Sequence, residues 1–186
     1  ALESQQKAIA AINQGKFKDE IWPILVPQRK GDPLIVDTDE HPRYKNENGE
    51  YLINLTLEKL SLLKPIFRNN GTVTAGNSSG INDGAAAVLL MSRGKADELG
   101  LIPMARWTGS AVAGVDPGVM GYGPVPSTEK LLKRFNLTLD DIGLIELNEA
   151  FASQSIGVMQ KLNMNPDMTN VNGGAIALGH PLGCSG

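Results

Sequence analysis

Apolar positions along the chain change their spacing from a helical to a strand-like period several times. Leu2, Ala8, Ile9 and Ile12 fall on one helical face, and Gly15 is placed to stop that helix. The apolar runs Ile21–Val26 and Leu34–Val36 flank a polar turn around Arg29–Asp32. They predict a strand pair, with Pro23 and Pro27 favouring an edge. The polar stretch from Asp37 to Glu50 reads as surface loop. Thr56 is placed to cap a short amphipathic helix, Leu57–Leu63, that Pro65 ends.

After Gly71 the texture changes. Thr72–Thr74 predicts a strand leading into a loop of small residues, Ala75–Gly84. Ala85–Met91 then predicts a strand buried on both faces. A short helix over Arg93–Leu99 closes at Gly100, and Ala105–Val115 is a further strand candidate. The loop Asp116–Pro126 leads to a helix over Thr128–Phe135 with Ser127 as its cap. Ile142–Leu147 predicts a buried strand and Glu149–Leu162 an amphipathic helix. Strands alternating with helices imply an α/β architecture, and the texture change near Pro103 marks a domain boundary.

Composition narrows the class. The 186 residues are 41% hydrophobic and 20% charged, with a formal net charge of −3 and both signs interspersed. This is a globular composition without the basic stripe of a nucleic-acid binder. No apolar run is long enough to span a bilayer, so no membrane association is expected. The single Cys184 cannot form an internal disulfide, which favours a reducing, cytoplasmic setting. The chain lacks an initiator Met and opens within an apparent helix. It stops at Gly183-Cys-Ser-Gly186, where another helix is due to begin, so it reads as a piece of a longer protein.

Three segments carry candidate chemistry. Asn148, in Asn-Glu-Ala-Phe, lies where a buried strand hands over to a helix, the strand edge at which ligands gather in α/β folds. Its amide can cap the helix or hold a ligand or water oxygen. His180 lies between Gly179 and Pro181 in a Gly-rich run that starts at Asn172, hence in a rigid turn. A neutral imidazole there can take a proton from a thiol, or donate to a developing oxyanion; a structural histidine bonded to backbone is the plainer alternative. The loop Ala75–Gly84 matches neither the dinucleotide nor the P-loop phosphate pattern and contains no Lys; a tight structural turn explains it equally well.

Together, Asn148–Phe151, Asn172–Pro181 and Gly71–Ala87 resemble, in this order, the signature segments of the thiolases, above all acetyl-CoA acetyltransferases and 3-ketoacyl-CoA thiolases. The likeness continues through Gly15–Ile21 and Val115–Pro126, essentially the whole chain. The resemblance implies a layered αβαβα fold with mixed sheets, here incomplete. Residues 1–70 would end a loop domain that covers coenzyme A, 71–102 would complete the N-terminal half, and 103–186 would begin the C-terminal half. It implies acyl transfer between acyl-CoA and CoA through a cysteine acyl-enzyme, with both catalytic cysteines outside this chain.

On the same resemblance, His180 is the histidine that activates the nucleophile and Asn148 the asparagine that positions a water in the oxyanion hole. Ser79 contacts the pantetheine arm. Ala75, Phe67, Leu63 and Phe151 form apolar walls of the CoA site, and Arg43 points to the adenine end, although Asn46–Glu50 beside it reads as an insertion. Cys184 matches neither catalytic cysteine and is read as a small buried residue at a helix start. No metal and no resident cofactor are expected, coenzyme A being a substrate. The full-length protein is expected to be a homodimer or homotetramer. The chain alone is expected to be inactive and to expose strand edges. The competing readings are a non-catalytic CoA- or lipid-binding relative and a condensing enzyme of the ketoacyl-synthase type, whose histidine and asparagine contexts differ.

Overall fold

The computed structural model describes residues 1–185. Gly186, the last residue of the Gly-rich run, lies outside the described residues. Helix α1 spans Leu2–Asn13, and Gly15 takes a left-handed φ of 67° just beyond it, as the stop signal requires. Strands β1 (Ile24–Val26) and β2 (Leu34–Val36) pair antiparallel, Leu25 opposite Ile35. A second hairpin joins β3 (Tyr44–Glu47) to β4 (Glu50–Ile53). Helix α2 is Leu57–Ser61, shorter than expected but capped by Thr56, whose Oγ1 accepts the Lys59 N–H at 3.2 Å. Helix α3 is Arg93–Glu98. Helices α4 (Pro124–Phe135), α5 (Ala152–Leu162), α6 (Ala175–Leu178) and α7 (Leu182–Ser185) complete the chain.

The second hairpin corrects the reading of 37–50 as loop. Asn46–Glu50 forms its tip. Asn48 and Gly49 have φ of 56° and 91°, the doubly left-handed pair of a two-residue turn whose twist matches the flanking strands. Helix α4 begins three residues before its expected cap because Pro124 sits at a first-turn position where no N–H is needed. Ser127 therefore lies inside the helix and donates to the Gly123 carbonyl at 3.0 Å.

The expected strands at 72–74, 85–91, 105–115 and 142–147 do not form ladders among the described residues. Ile145 makes one isolated parallel bridge, to Thr169. A strand buried on both faces needs neighbours for its backbone groups, and no described segment supplies them. Instead of being buried, Val88, Leu89 and Leu90 are 81%, 79% and 78% exposed.

What packs does so around two centres. Val158 on α5 is fully buried and joins Leu147 and Met164, with Tyr122, Val125 and Leu139 around them. Around the second centre, α1 lies directly on the backbone of Gly173 and Gly174: a Cβ on Gly173 would come within 2.7 Å of the Ala8 Cβ. Between the centres runs Asn170, buried and left-handed at φ 47°. Its Oδ1 accepts the Leu147 N–H at 2.7 Å and its Nδ2 donates to the Leu147 carbonyl at 2.8 Å. The amide thus stands in for a strand partner. Among the described residues no helix is long and apolar enough to cross a membrane.

Asn170→Ala leaves two buried backbone groups unpaired and should cost about 2–4 kcal/mol; chemical denaturation checks this, and a loss below about 0.5 kcal/mol contradicts it. The apolar stretch at 88–90 predicts that the isolated chain self-associates with rising concentration in sedimentation velocity. A monomer at every concentration would go against that expectation.

Candidate active site

The strand-like segment that ends at Leu147 delivers two adjacent side chains to opposite tasks. Glu149 turns inward. Its Oε2 accepts the Ser4 hydroxyl at 2.6 Å and the Ile176 N–H at 3.2 Å, and its Oε1 accepts from Asn170 Nδ2 at 3.3 Å. Ser4 also accepts the Gly174 N–H at 3.0 Å. One carboxylate therefore ties together α1, the start of α6 and the Asn170 clamp. A Cβ on Gly174 would meet the Glu149 carboxylate, with Oε2 at 2.5 Å, so the second glycine of Asn172-Gly-Gly makes room for it. The Glu146 carboxyl is pushed above its ordinary range, first by desolvation and then by the negative charge of Glu149.

Asn148 turns outward. It is exposed and does not cap α5, whose cap position is held by Phe151 without a side-chain bond. Its Nδ2 lies 3.4 Å from His180 Nε2, joining segments 32 residues apart. In this orientation the amide nitrogen donates and Nε2 accepts, the neutral tautomer with the proton on Nδ1. Nδ1 is buried and has no hydrogen-bond partner among the described residues. His180 follows α6 and precedes α7, in a turn as expected from its Gly-His-Pro context.

The loop 72–82 folds on itself before it reaches this pair. Asn77 accepts the Thr74 N–H and donates to the Thr72 carbonyl, both at 2.8 Å. The loop then pairs with the chain just after Asn148: the Ser79 N–H donates to the Ala150 carbonyl at 3.0 Å, and the Ala152 N–H to the Asn77 carbonyl at 2.8 Å. This places Ser79 beside Phe151. Phe151 meets Phe67 edge-to-face with ring centroids 6.1 Å apart. Leu63 packs on Gly76, next to the exposed Ala75.

Five of the six expected CoA-contact residues thus gather on one loop surface next to Asn148. Arg43 is held through its backbone, whose N–H donates to Gln5 Oε1 at 2.7 Å; its side chain makes no hydrogen bond or ion pair among the described residues. Cys184 is half-buried on α7, without a hydrogen bond from its Sγ to His180 among the described residues. No group of three or more His, Cys, Asp or Glu side chains that could hold a metal occurs among them either.

Sequence reasoning missed the residues that hold this site: Ser4, Asn170, Asn82 and His41. Asn82 accepts the His180 N–H at 3.2 Å through Oδ1, and its Nδ2 lies 3.5 Å from His41 Nδ1. Asn82 lies in the loop Ala75–Gly84 among other polar residues, with nothing local to single it out. Ser4 and His41 left no local signal.

Residues 1–94 match the family description "Thiolase, N-terminal domain" and residues 101–186 "Thiolase, C-terminal domain". Over all 186 residues the chain is 54% identical to the acetyl-CoA acetyltransferase of Chromobacterium violaceum and 56% to that of Pseudomonas aeruginosa. It spans 45% of the length of each. Among solved structures, the acetyl-CoA acetyltransferase of Bacillus anthracis superposes with a TM-score of 0.91 at 46% identity, over 99% of this chain and 44% of that one. Human mitochondrial 3-ketoacyl-CoA thiolase in complex with CoA superposes at 0.86 and 46% identity, over 100% and 43%. The dimeric peroxisomal thiolase of Saccharomyces cerevisiae gives 0.89 and 43% identity, over 99% and 44%. The expected α/β fold is therefore that of part of a thiolase. Matched along both domains and by relatives in sequence and structure, the chain belongs to the thiolase family.

Proposed function

We propose that this chain supplies the proton-transfer and oxyanion side of a thiolase active site in a longer protein that transfers acyl groups between acyl-CoA and CoA. The observation that carries the reading is the approach of Asn148 Nδ2 to His180 Nε2 at 3.4 Å from two separate glycine-flanked or strand-end segments. With its proton on Nδ1, His180 presents a lone pair at Nε2. That lone pair can take the proton of a cysteine thiol lying outside this chain.

The resulting thiolate bonds to the 3-keto carbon of a 3-ketoacyl-CoA. As the oxyanion collapses, the bond between that carbon and the α-carbon breaks. The α-carbon takes a proton from a second cysteine, also outside the chain, and leaves as acetyl-CoA. The thiol of CoA then displaces the enzyme sulfur from the acyl group, and the reverse sequence is Claisen condensation. His180, once protonated, donates to an oxyanion, while the Asn148 amide holds a water that does the same; donors fixed before the charge develops lower its energy most.

The surface formed by Leu63, Phe67, Ala75, Ser79 and Phe151 suits the pantetheine arm, apolar along its length with one hydroxyl at hand. Arg43 is assigned to the adenine end. Coenzyme A is a substrate here, and no resident cofactor is invoked. The full-length protein is assigned as a homodimer or homotetramer in a reducing, cytoplasmic setting.

In the full-length protein, His180→Ala should lower the rate of acyl-enzyme formation on the order of a hundredfold or more. Rapid-quench measurement with acetoacetyl-CoA checks this, and an unchanged burst would defeat the assignment. The isolated chain should turn over neither acetoacetyl-CoA with CoA nor acetyl-CoA alone. Turnover by it would give Cys184, its one thiol, the nucleophile's role.

A further inference from the structure

The His180 turn carries few backbone donors of its own. The Gly179 N–H returns to the Ala175 carbonyl at 2.9 Å, and Pro181 has no N–H. The donor between them is the His180 N–H, and Asn82 Oδ1 accepts it at 3.2 Å across 98 residues of sequence. The approach is tight. A Cβ on Gly179, which has φ 97°, would lie 2.6 Å from Asn82 Oδ1. The other end of the same amide reaches His41: Nδ2 lies 3.5 Å from His41 Nδ1, and the His41 ring packs on Gly80. An amide nitrogen only donates, so His41 Nδ1 accepts, and this keeps Oδ1 facing His180.

The His180 ring has little else to hold it. Nδ1 has no partner among the described residues, and Asn148 is the ring's one hydrogen-bond partner there. Its position is set through its backbone. We infer that Asn82, braced by His41, is a positioning residue that fixes the His180 turn for proton transfer. This rests on the thiolase reading above. It links the loop that carries Ser79 to the turn that carries the base, so both faces of the site share one polar anchor.

The test uses the full-length protein with acetoacetyl-CoA and CoA. Asn82→Leu keeps the approximate volume and removes the acceptor, whereas Asn82→Asp keeps an acceptor for the His180 N–H. Asn82→Leu should lower kcat by roughly tenfold or more with KM for CoA within about twofold. Asn82→Asp should recover kcat to within about threefold of wild type. Deuterium exchange of the peptide spanning 179–185 should speed up in Asn82→Leu alone. Wild-type kcat in Asn82→Leu, a loss carried in KM, or unchanged exchange each overturns the inference.

If Asn82→Leu does not fold, His41→Phe removes the Nδ1 acceptor and keeps a ring against Gly80. A drop in kcat of roughly threefold or more at unchanged KM is then expected, and wild-type kcat overturns the inference. A wild-type protein without turnover overturns the thiolase reading instead. Exchange at 179–185 then still decides whether Asn82 holds the turn.

Discussion

Everything around the site depends on a side-chain amide that does the work of a β-strand. Asn170 gives Leu147 both an acceptor and a donor, at 2.7 and 2.8 Å, in a buried setting where unpaired backbone groups are costly. That fixes the end of the segment from which Asn148 and Glu149 depart. The same device recurs. Asn13 pairs with both backbone groups of Tyr51 at the edge of β4, Asn77 closes the loop at 72–74, and Asn82 takes the His180 N–H. Each amide bonds backbone that the local secondary structure leaves unpaired.

Glu149 turns that fixed point into a rigid frame. By accepting from Ser4, 145 residues earlier in sequence, and from Ile176 and Asn170, one carboxylate joins separate elements while its neighbour Asn148 faces the opposite side. The glycines at 173 and 174 let helix α1 and the carboxylate come close enough for this. On this frame sit the exposed Asn148 and the half-buried His180, anchored from behind by the Glu149 network and by Asn82.

Much of this was legible in the sequence because the signals were local. The first hairpin, the Thr56 cap, the glycine stops at 15 and 100, and the Gly-His-Pro turn each depend on a few adjacent residues. The second hairpin had such a signal in Asn48-Gly49, but the polar residues around it masked the pair. The strands at 85–91 and 105–115 were expected from the local run of residues alone, yet strand formation depends on partners, and no ladder partner is present among the described residues. The family motifs pointed to Asn148 and His180 together. They could not reveal Ser4, Asn170 or His41, because a positioning residue is defined by what it touches, across distances that spacing does not encode.

The central claim is that Asn148 and His180 act as one unit on a common frame. A double-mutant cycle in the full-length protein tests it most directly, using kcat for thiolysis of acetoacetyl-CoA with Asn148→Ala, His180→Ala and the pair. Strong non-additivity is expected, with the double variant little slower than the slower single one. Losses that multiply would show two independent groups and contradict it.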